Sequence, residues 1–313
     1  MNNEFILQDR IQKIQQIVGR QYDKDDFYIS YSGGRDSNVL SVLIDLALPD
    51  NNIPRVYCDT GIELNAVRDF VREKAEQDNR FIIIQPKVPI KKMLETVGYP
   101  FKSKAHSRFV DRYQRGGWKY KSVRAYTGRE KTLSGREMFR PCPKLLLYQF
   151  SDSFNLKISD KCCEELKEIP LNTWAKENNK KYRIVGLMRE EGGRRTKTQC
   201  LAFRGKKLEA FHPLAPITKD WENWFIEKYG IKLPILYYPP YNFDRTGCKG
   251  CAFGLHLQQE LDTLQKYFPG ERKQCELIWK PVYDEYRRLG YRLKKSDSDQ
   301  LTFDDISIEK EQE

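Results

Sequence analysis

Two sets of residues in this 313-residue chain have types and spacings suited to chemistry. The first is Ser32-Gly33-Gly34-Arg35-Asp36-Ser37. Two glycines let a backbone approach an anion closely, and a helix that starts at such a loop offers unpaired amides and the positive end of its dipole. The spacing is not that of a Walker loop, which needs Gly-Lys-Ser/Thr after four intervening residues. The competing reading is a glycine turn capped by Ser37. The second set is made of cysteines. Of eight, Cys162-Cys163 are adjacent and Cys248-x-x-Cys251 forms a close pair. Thiolates in pairs suit a metal or a cluster. Cys58 and Cys200 lie in or beside apolar stretches and read as buried and inert; Cys142 and Cys275 stay open.

The elements that must hold these residues follow from periodicity. Phe27–Tyr31 is aromatic and β-branched, hence a buried strand. Apolar residues at helical spacing follow from Asn38 to Leu46. Ile53–Cys58 predicts a second strand ending at Asp59-Thr60-Gly61, with a helix from Leu64 to about Gln77. Phe81–Ile84 is a third strand and Ile90–Val97 a short helix. Residues 4–22 predict a leading helix on the sheet edge. Further strands are expected over Tyr182–Leu187 and Lys207–Phe211, and helices over residues 143–150, from Cys162 to a stop before Pro170, over Lys219–Tyr229 behind a Thr218 cap, and over about 257–267 and 272–289. Strands alternating with helices predict an α/β fold, a mainly parallel sheet with helices on both faces and right-handed crossovers. Ligands then sit at the carboxyl ends of the strands, where both Ser32–Ser37 and Asp59-Thr60 fall. A small helical cap carrying the C-x-x-C completes the chain. The expected segments are a nucleotide-binding domain over 1–236, a cap over 237–295 and a mobile acidic tail over 296–313.

Composition excludes some classes. No apolar run reaches the length of a membrane span, and Met1-Asn2-Asn3-Glu4 lacks signal-peptide character, so a cytoplasmic location is expected and a disulfide framework is not. A formal net charge of +11 favours anionic partners. Residues 98–140 concentrate that charge: Lys104, Arg108, Arg112, Arg115, Lys119, Lys121, Arg124, Arg129, Lys131 and Arg136 alternate with Tyr113, Trp118, Tyr120 and Tyr126. Aromatic faces that stack bases beside cations that pair phosphates suit single-stranded nucleic acid. The opposite expectation is an insertion whose aromatics pack inward.

The loop resembles the PP-loop of adenine-nucleotide α-hydrolases, with Arg35 where Lys is common. With Asp59-Thr60-Gly61, Cys-Cys followed by Lys167 and Pro170, Gly186 to Arg195, and a late C-x-x-C in one order, residues 26–254 resemble the phosphoadenosine phosphosulfate reductase family. They are similar to its cluster-bearing adenosine phosphosulfate reductases and to DNA phosphorothioation enzymes. The resemblance implies a 4Fe-4S iron–sulfur cluster on Cys162, Cys163, Cys248 and Cys251, with zinc as the alternative. It also implies ATP or an adenylyl sulfate held by Ser32, Gly33, Gly34, Arg35, Ser37, Asp59, Thr60, Gly186 and Arg189. Asp36 and Arg195 are the expected catalytic residues, Asp36 holding magnesium or capping the helix. The family's Gly-x-Arg-x-x-Glu-Ser-x-x-Arg run is altered: Met188 replaces the first Arg and Gly192 the Ser, leaving Arg189 or Arg194 to substitute. The tail cysteine with which the reductases attack activated sulfate is missing; Cys275 does not match it. The expected activity is therefore an adenylating ATP pyrophosphatase in sulfur transfer, served by a sulfur-donor or electron-donor protein. The alternatives are a thiol-dependent adenylyl-sulfate reductase and a non-catalytic nucleotide- and cluster-binding module.

Overall fold

A computed structural model describes residues 2–295; the expected tail at 296–313 lies outside them. In chain order the helices are α1 (Asn3–Ile17), α2 (Arg35–Ala47), α3 (Asn65–Gln77), α4 (Ile90–Val97), α5 (Lys104–Gly116), α6 (Lys121–Tyr126), α7 (Ile169–Glu177), α8 (Lys219–Lys228), α9 (Leu257–Tyr267) and α10 (Pro269–Leu289). The strands are β1 (Phe27–Tyr31), β2 (Arg55–Cys58), β3 (Phe81–Ile84), β4 (Tyr182–Ile184), β5 (Leu201–Arg204) and β6 (Lys207–Phe211). Among the described residues, no helix is long and apolar enough to cross a membrane.

The chain forms two compact units. The first comprises residues 1–90 and 163–249, the second residues 91–162 with those from Gly250 onward. This redraws the sequence division at 236: the C-x-x-C segment is split between units, and the basic stretch 98–140 shares a unit with α9 and α10. The physical reason is packing. Phe101 is fully buried with its ring 4.5 Å from that of Tyr286, and the Lys102 amide donates to the Tyr286 hydroxyl at 2.7 Å.

The first unit holds a six-stranded sheet in the order β3-β2-β1-β4-β6-β5. All neighbours are parallel except β5 and β6, which form an antiparallel hairpin. Strand alternation divides the two faces. Phe27, Ile29 and Tyr31 enter the large core with α1, α2 and α8, where Leu40, Ile44, Trp221 and Phe225 are buried. Tyr28 and Val56 point the other way, against Leu171 and Ala175 of α7. Each such apolar side chain contributes about 1.5–3 kcal/mol on burial. This is the expected α/β architecture, a mainly parallel sheet with helices on both faces.

Some local expectations need correcting. Pro170 does not stop a helix: a π-type turn over Glu164–Glu168 runs straight into α7, and Pro170 sits in its first turn, where the missing N–H is not needed. β4 ends at Ile184 rather than at Leu187, α1 ends at Ile17, and β5 is a strand the periodicity did not indicate. The run 144–150 is 3-10 rather than α-helical.

The second unit explains its own aromatics. His106, Val110 and Tyr113 lie on the inner face of α5. Tyr126 stacks on Phe109 at 4.2 Å, and Tyr113 meets Trp118 at 4.8 Å. His106 spans the Tyr126 hydroxyl (2.9 Å) and the Gln149 side-chain oxygen (2.7 Å). Arg129 lies 3.5 Å over the Trp118 ring. Many of the cations are paired: Arg108 with Asp160 at 2.7 Å, Arg115 with Asp111 at 2.5 Å, Arg124 with Glu130 at 2.6 Å. Three of the four aromatics expected to stack bases, Tyr113, Trp118 and Tyr126, thus pack within this unit.

Candidate functional site

The Ser32–Ser37 loop leaves the carboxyl end of β1 and starts α2. Gly33 has φ +72°, and a Cβ there would meet Val71 Cγ2 at 2.7 Å and Val67 Cγ1 at 2.8 Å, so both the conformation and the space require glycine. Gly34 caps α2 with its backbone alone; a Cβ there would come within 3.0 Å of Thr246 Oγ1 and 3.2 Å of Tyr237 Oη. The loop is tied down internally. Ser32 Oγ donates to Ser37 Oγ (3.1 Å), Ser37 Oγ to the Gly34 carbonyl (2.8 Å), and Asn38 Nδ2 to the Gly33 and Gly34 carbonyls (3.1 and 2.9 Å). Tyr31 Oη in turn donates to Asn38 Oδ1 at 2.7 Å. The two serine hydroxyls expected on phosphate therefore also shape the turn.

The Arg35 amide donates to Tyr237 Oη at 3.1 Å, and that hydroxyl pairs with Thr246 Oγ1 at 2.8 Å. A hydroxyl oxygen thus occupies a helix-start amide of the type an anion takes. Arg35 Nη1 donates to Asn223 at 3.0 Å, and its guanidinium lies 5.5 Å from the Tyr237 ring centre.

Beside the loop is a cavity of about 260 Å³ walled by Arg35, Asp36, Met188, Glu191, Glu222 and Arg245, among others. Glu222, on α8 and 1% exposed, hydrogen-bonds the Asp36 carboxyl, while its Oε1 has no partner among the described residues. Burial first, then the neighbouring Asp36 charge, push the Glu222 carboxyl up to about 8. Asp36 is raised as well, by burial, against the pull of Arg195, Arg245 and Arg35. Glu191 accepts from Arg195 and faces Arg245 Nη2 at 3.4 Å, so two guanidiniums converge on one carboxylate at the mouth of the cavity. Burial and the facing Arg245 lower the Arg195 guanidinium, opposed by Asp36. Two carboxyls with one unused buried oxygen can share a proton or hold a cation. The two arginines can neutralise phosphate.

The expected residues divide. Asp36 and Arg35 wall the cavity and Arg195 acts on Asp36. Gly186 serves close packing: a Cβ there would lie 2.9 Å from the Asp36 carbonyl oxygen. Arg189 is turned away, its Nε donating to the Thr198 carbonyl at 2.7 Å; the Arg194 side chain lies outside the described residues. Glu222, Arg245, Glu191 and Tyr237 were not indicated by the sequence. A carboxylate beside Trp221, on a helix whose Trp221 and Phe225 are core, was the one available signal.

Asp59 and Thr60 lead elsewhere. Asp59 accepts from the Gly61 amide (3.1 Å) and faces Arg72 at 3.6 Å. Thr60 donates through its amide (3.0 Å) and hydroxyl (2.7 Å) to Glu63, which pairs with Lys167 Nζ at 3.0 Å. Glu63 bridges Cys248 in the backbone, and the Lys249 amide donates to the Ile62 carbonyl at 2.7 Å. Burial pushes the Cys248 thiol up to about 11, against the pull of Lys167, with Cys163 near enough to add to the rise. The first unit thus brings Cys163 and Cys248 beside Lys167. Cys162 and Cys251 belong to the second unit. All eight cysteines are free thiols, and among the described residues no three His, Cys, Asp or Glu side chains are disposed as a metal site. Cys58 donates to the Leu166 carbonyl at 3.1 Å and is pushed up to about 12 by burial, as an inert thiol should be. Cys142 is likewise buried and pushed up to about 12.

No protein-family model matches the chain, and no curated protein sequence matches it. Among solved structures, the chain is similar to a phosphoadenylyl-sulfate reductase from Candida auris in a phosphate complex, with 12% identity and a TM-score of 0.41 over 75% of this chain and 91% of that one. It is similar to the U34-tRNA thiolase NcsA of Methanococcus maripaludis with its 4Fe-4S cluster, with 15% identity and a TM-score of 0.41 over 92% and 80%. It is also similar to an NH3-dependent NAD synthetase from Campylobacter jejuni, with 10% identity and a TM-score of 0.37 over 90% and 96%. At such identities and scores these likenesses say nothing about what this chain does, which rests on its own residues.

Proposed function

We propose that the first unit binds an adenine nucleotide by its phosphates at the Ser32–Ser37 loop and acts as an adenylating ATP pyrophosphatase in sulfur transfer. The observation that carries this is the constrained Gly33-Gly34 turn at the end of β1, opening α2 beside a cavity that Asp36, Arg35 and Arg245 wall. An acceptor oxygen attacks the α-phosphorus of ATP; the new P–O bond forms as the α–β bridge breaks, and pyrophosphate leaves with its charge. The guanidiniums of Arg195 and Arg245, and amides at the start of α2 other than that of Arg35, stabilise that charge, which is most of what phosphoryl and nucleotidyl transfer asks of a protein. Magnesium, held by the Asp36 and Glu222 carboxylates, would neutralise phosphate oxygens there. Asp59 and Thr60, at the next strand end, would border the adenosine side.

The burial of Cys275 favours this activity over adenylyl-sulfate reduction through that thiol. Cys275 is 0% exposed, and a Cβ on Gly250 would stand 2.9 Å from its sulfur, whereas a sulfate-attacking thiolate must be accessible. The sulfur-delivering partner and any cluster on Cys162, Cys163, Cys248 and Cys251 are further parts of the proposal, and iron and acid-labile sulfide in anaerobically purified protein test the cluster. Nucleotide placement is tested by calorimetric titration of magnesium-ATP into the parent and into Gly34→Val. Loss of binding in the variant is expected; equal affinity would place the nucleotide elsewhere.

A further inference from the structure

At the other end of the same sheet lies a second cavity, of about 440 Å³. Its walls come from α7, from the residues that open β4, and from the β5–β6 turn. β1, β4 and β6 are parallel, so their amino-terminal ends coincide there. The Ser32 loop leaves the opposite end of β1, roughly 13–17 Å away for a five-residue strand.

Six cations line this cavity, Lys176, Lys180, Lys181, Arg183, Arg204 and Lys207, against two carboxylates, Glu168 and Glu209. Three of the six are committed: Lys181 to Asp26 at 3.0 Å, Lys180 to the Asp25 carbonyl at 2.6 Å, and Arg204 to Glu209. The side chains of Lys176, Arg183 and Lys207 have no hydrogen-bond or ion-pair partner among the described residues. Arg183 is the most telling. It sits in register between Tyr28 and Ala210, and strand alternation puts it on the Tyr28 face, which α7 covers with Leu171 and Ala175. Arg183 is half-buried on that face, and its side chain lines a polar, water-open cavity with no hydrogen-bond or ion-pair partner of its own.

We propose that this cavity is a binding site for adjacent phosphate groups, either a phosphodiester backbone or a free linear polyphosphate. One phosphate would engage Arg183 in the floor. Lys176 and Lys207, on opposite walls, would take its neighbours. The site is independent of the nucleotide crevice and does not rest on its reading.

The test uses the full chain and two probes: a fluorescent single-stranded oligonucleotide of mixed sequence, read by anisotropy, and inorganic tripolyphosphate, read by calorimetry. Lys176→Glu/Lys207→Glu is compared with Lys91→Glu/Lys92→Glu, an equal charge change on the exposed side of α4, and with Arg195→Ala. Lys176→Gln/Lys207→Gln adds a milder pair, and circular dichroism checks folding. The expected result is a loss of about tenfold or more in the first variant with either probe, about twofold or less in Lys91→Glu/Lys92→Glu with either probe, and about twofold or less in Arg195→Ala with the oligonucleotide, since tripolyphosphate can also enter the nucleotide crevice that Arg195 serves. For the oligonucleotide, the slope of log affinity against log salt should become shallower by about two, one per lost phosphate contact. That pattern with the oligonucleotide identifies a nucleic-acid backbone as the source; the same pattern with tripolyphosphate alone identifies a free polyphosphate. Binding of neither probe, equal weakening in the first variant and in Lys91→Glu/Lys92→Glu, or a loss that follows Arg195→Ala instead would overturn the proposal.

Discussion

Replacing Glu222 by Gln should make the protein's stability less dependent on pH, and by an amount the structure sets. Glu222 is 1% exposed, hydrogen-bonded to Asp36, and left with an unpaired Oε1. Its carboxyl titrates near 8 in the fold against an ordinary 4.5. Between those values the folded chain keeps a proton that the unfolded chain has released. The unfolded state therefore binds fewer protons, and stability falls as pH rises across that window. The contribution is fully present below the unfolded value and is lost as pH rises through about 8. Each pH unit in mid-window removes up to about 1.4 kcal/mol, and integration from pH 5 to pH 8 gives a loss of about 3.5 kcal/mol. Glutamine cannot ionise, so the stability of E222Q relative to the parent should rise by about that amount from pH 5 to pH 8. The assay is urea unfolding followed by tryptophan emission at each pH, with Trp221 beside the substituted residue. Asp36→Asn should shrink the difference, because the neighbouring charge that helps raise Glu222 is gone. A stability difference between E222Q and parent that stays level from pH 5 to pH 8 would refute the shared-proton arrangement.

Gly33→Ala should destabilise the first unit by about 2–4 kcal/mol, from a positive φ and a Cβ overlapping Val67 and Val71, with a lower urea midpoint as the readout. Arg195→Ala and Arg245→Ala should each reduce kcat/KM for ATP by about 10²–10³-fold if they neutralise phosphate in the transition state, with the oligonucleotide affinity unchanged; steady-state kinetics and anisotropy on the same preparations check both. Cys275→Ser should keep whatever nucleotide chemistry the parent shows, and mass spectrometry after incubation with an adenylyl sulfate should find no adduct at Cys275 in the parent.

Much of the first unit was legible because its strands advertise themselves. Phe27–Tyr31 and Phe81–Ile84 are short apolar or aromatic runs, and the strand–SGGRDS–helix order locates the loop without any contact information. Thr218 caps α8 as its type and position imply, accepting from the Trp221 amide at 3.3 Å. β5 escaped because Leu201–Arg204 is a half-exposed hairpin arm whose pairing, not its composition, makes it a strand. Pro170 misled because a proline marks either the end of one helix or the first turn of the next. The cavity was half legible. Arg35 and Asp36 come with the loop, but Glu222 and Arg245 reach the cavity, and Tyr237 the loop, from segments about two hundred residues on, and no local pattern announces that. Arg189 and Arg195 look interchangeable in sequence, yet a 3-10 turn between them sends one to the Thr198 carbonyl and the other toward Asp36. In the basic stretch 98–140, the i, i+4, i+7 spacing of His106, Val110 and Tyr113 is the sign of an inward face, and the structure buries all three.

The central claim is tested most directly by product analysis under anaerobic conditions, with magnesium-ATP and adenylyl sulfates offered in parallel to the parent and to Asp36→Asn. AMP and pyrophosphate from ATP, slow when water is the acceptor and abolished in Asp36→Asn, with no sulfite from adenylyl sulfates even with thiol present, is the expected result. Sulfite release, or cleavage of ATP to ADP and phosphate, would contradict it.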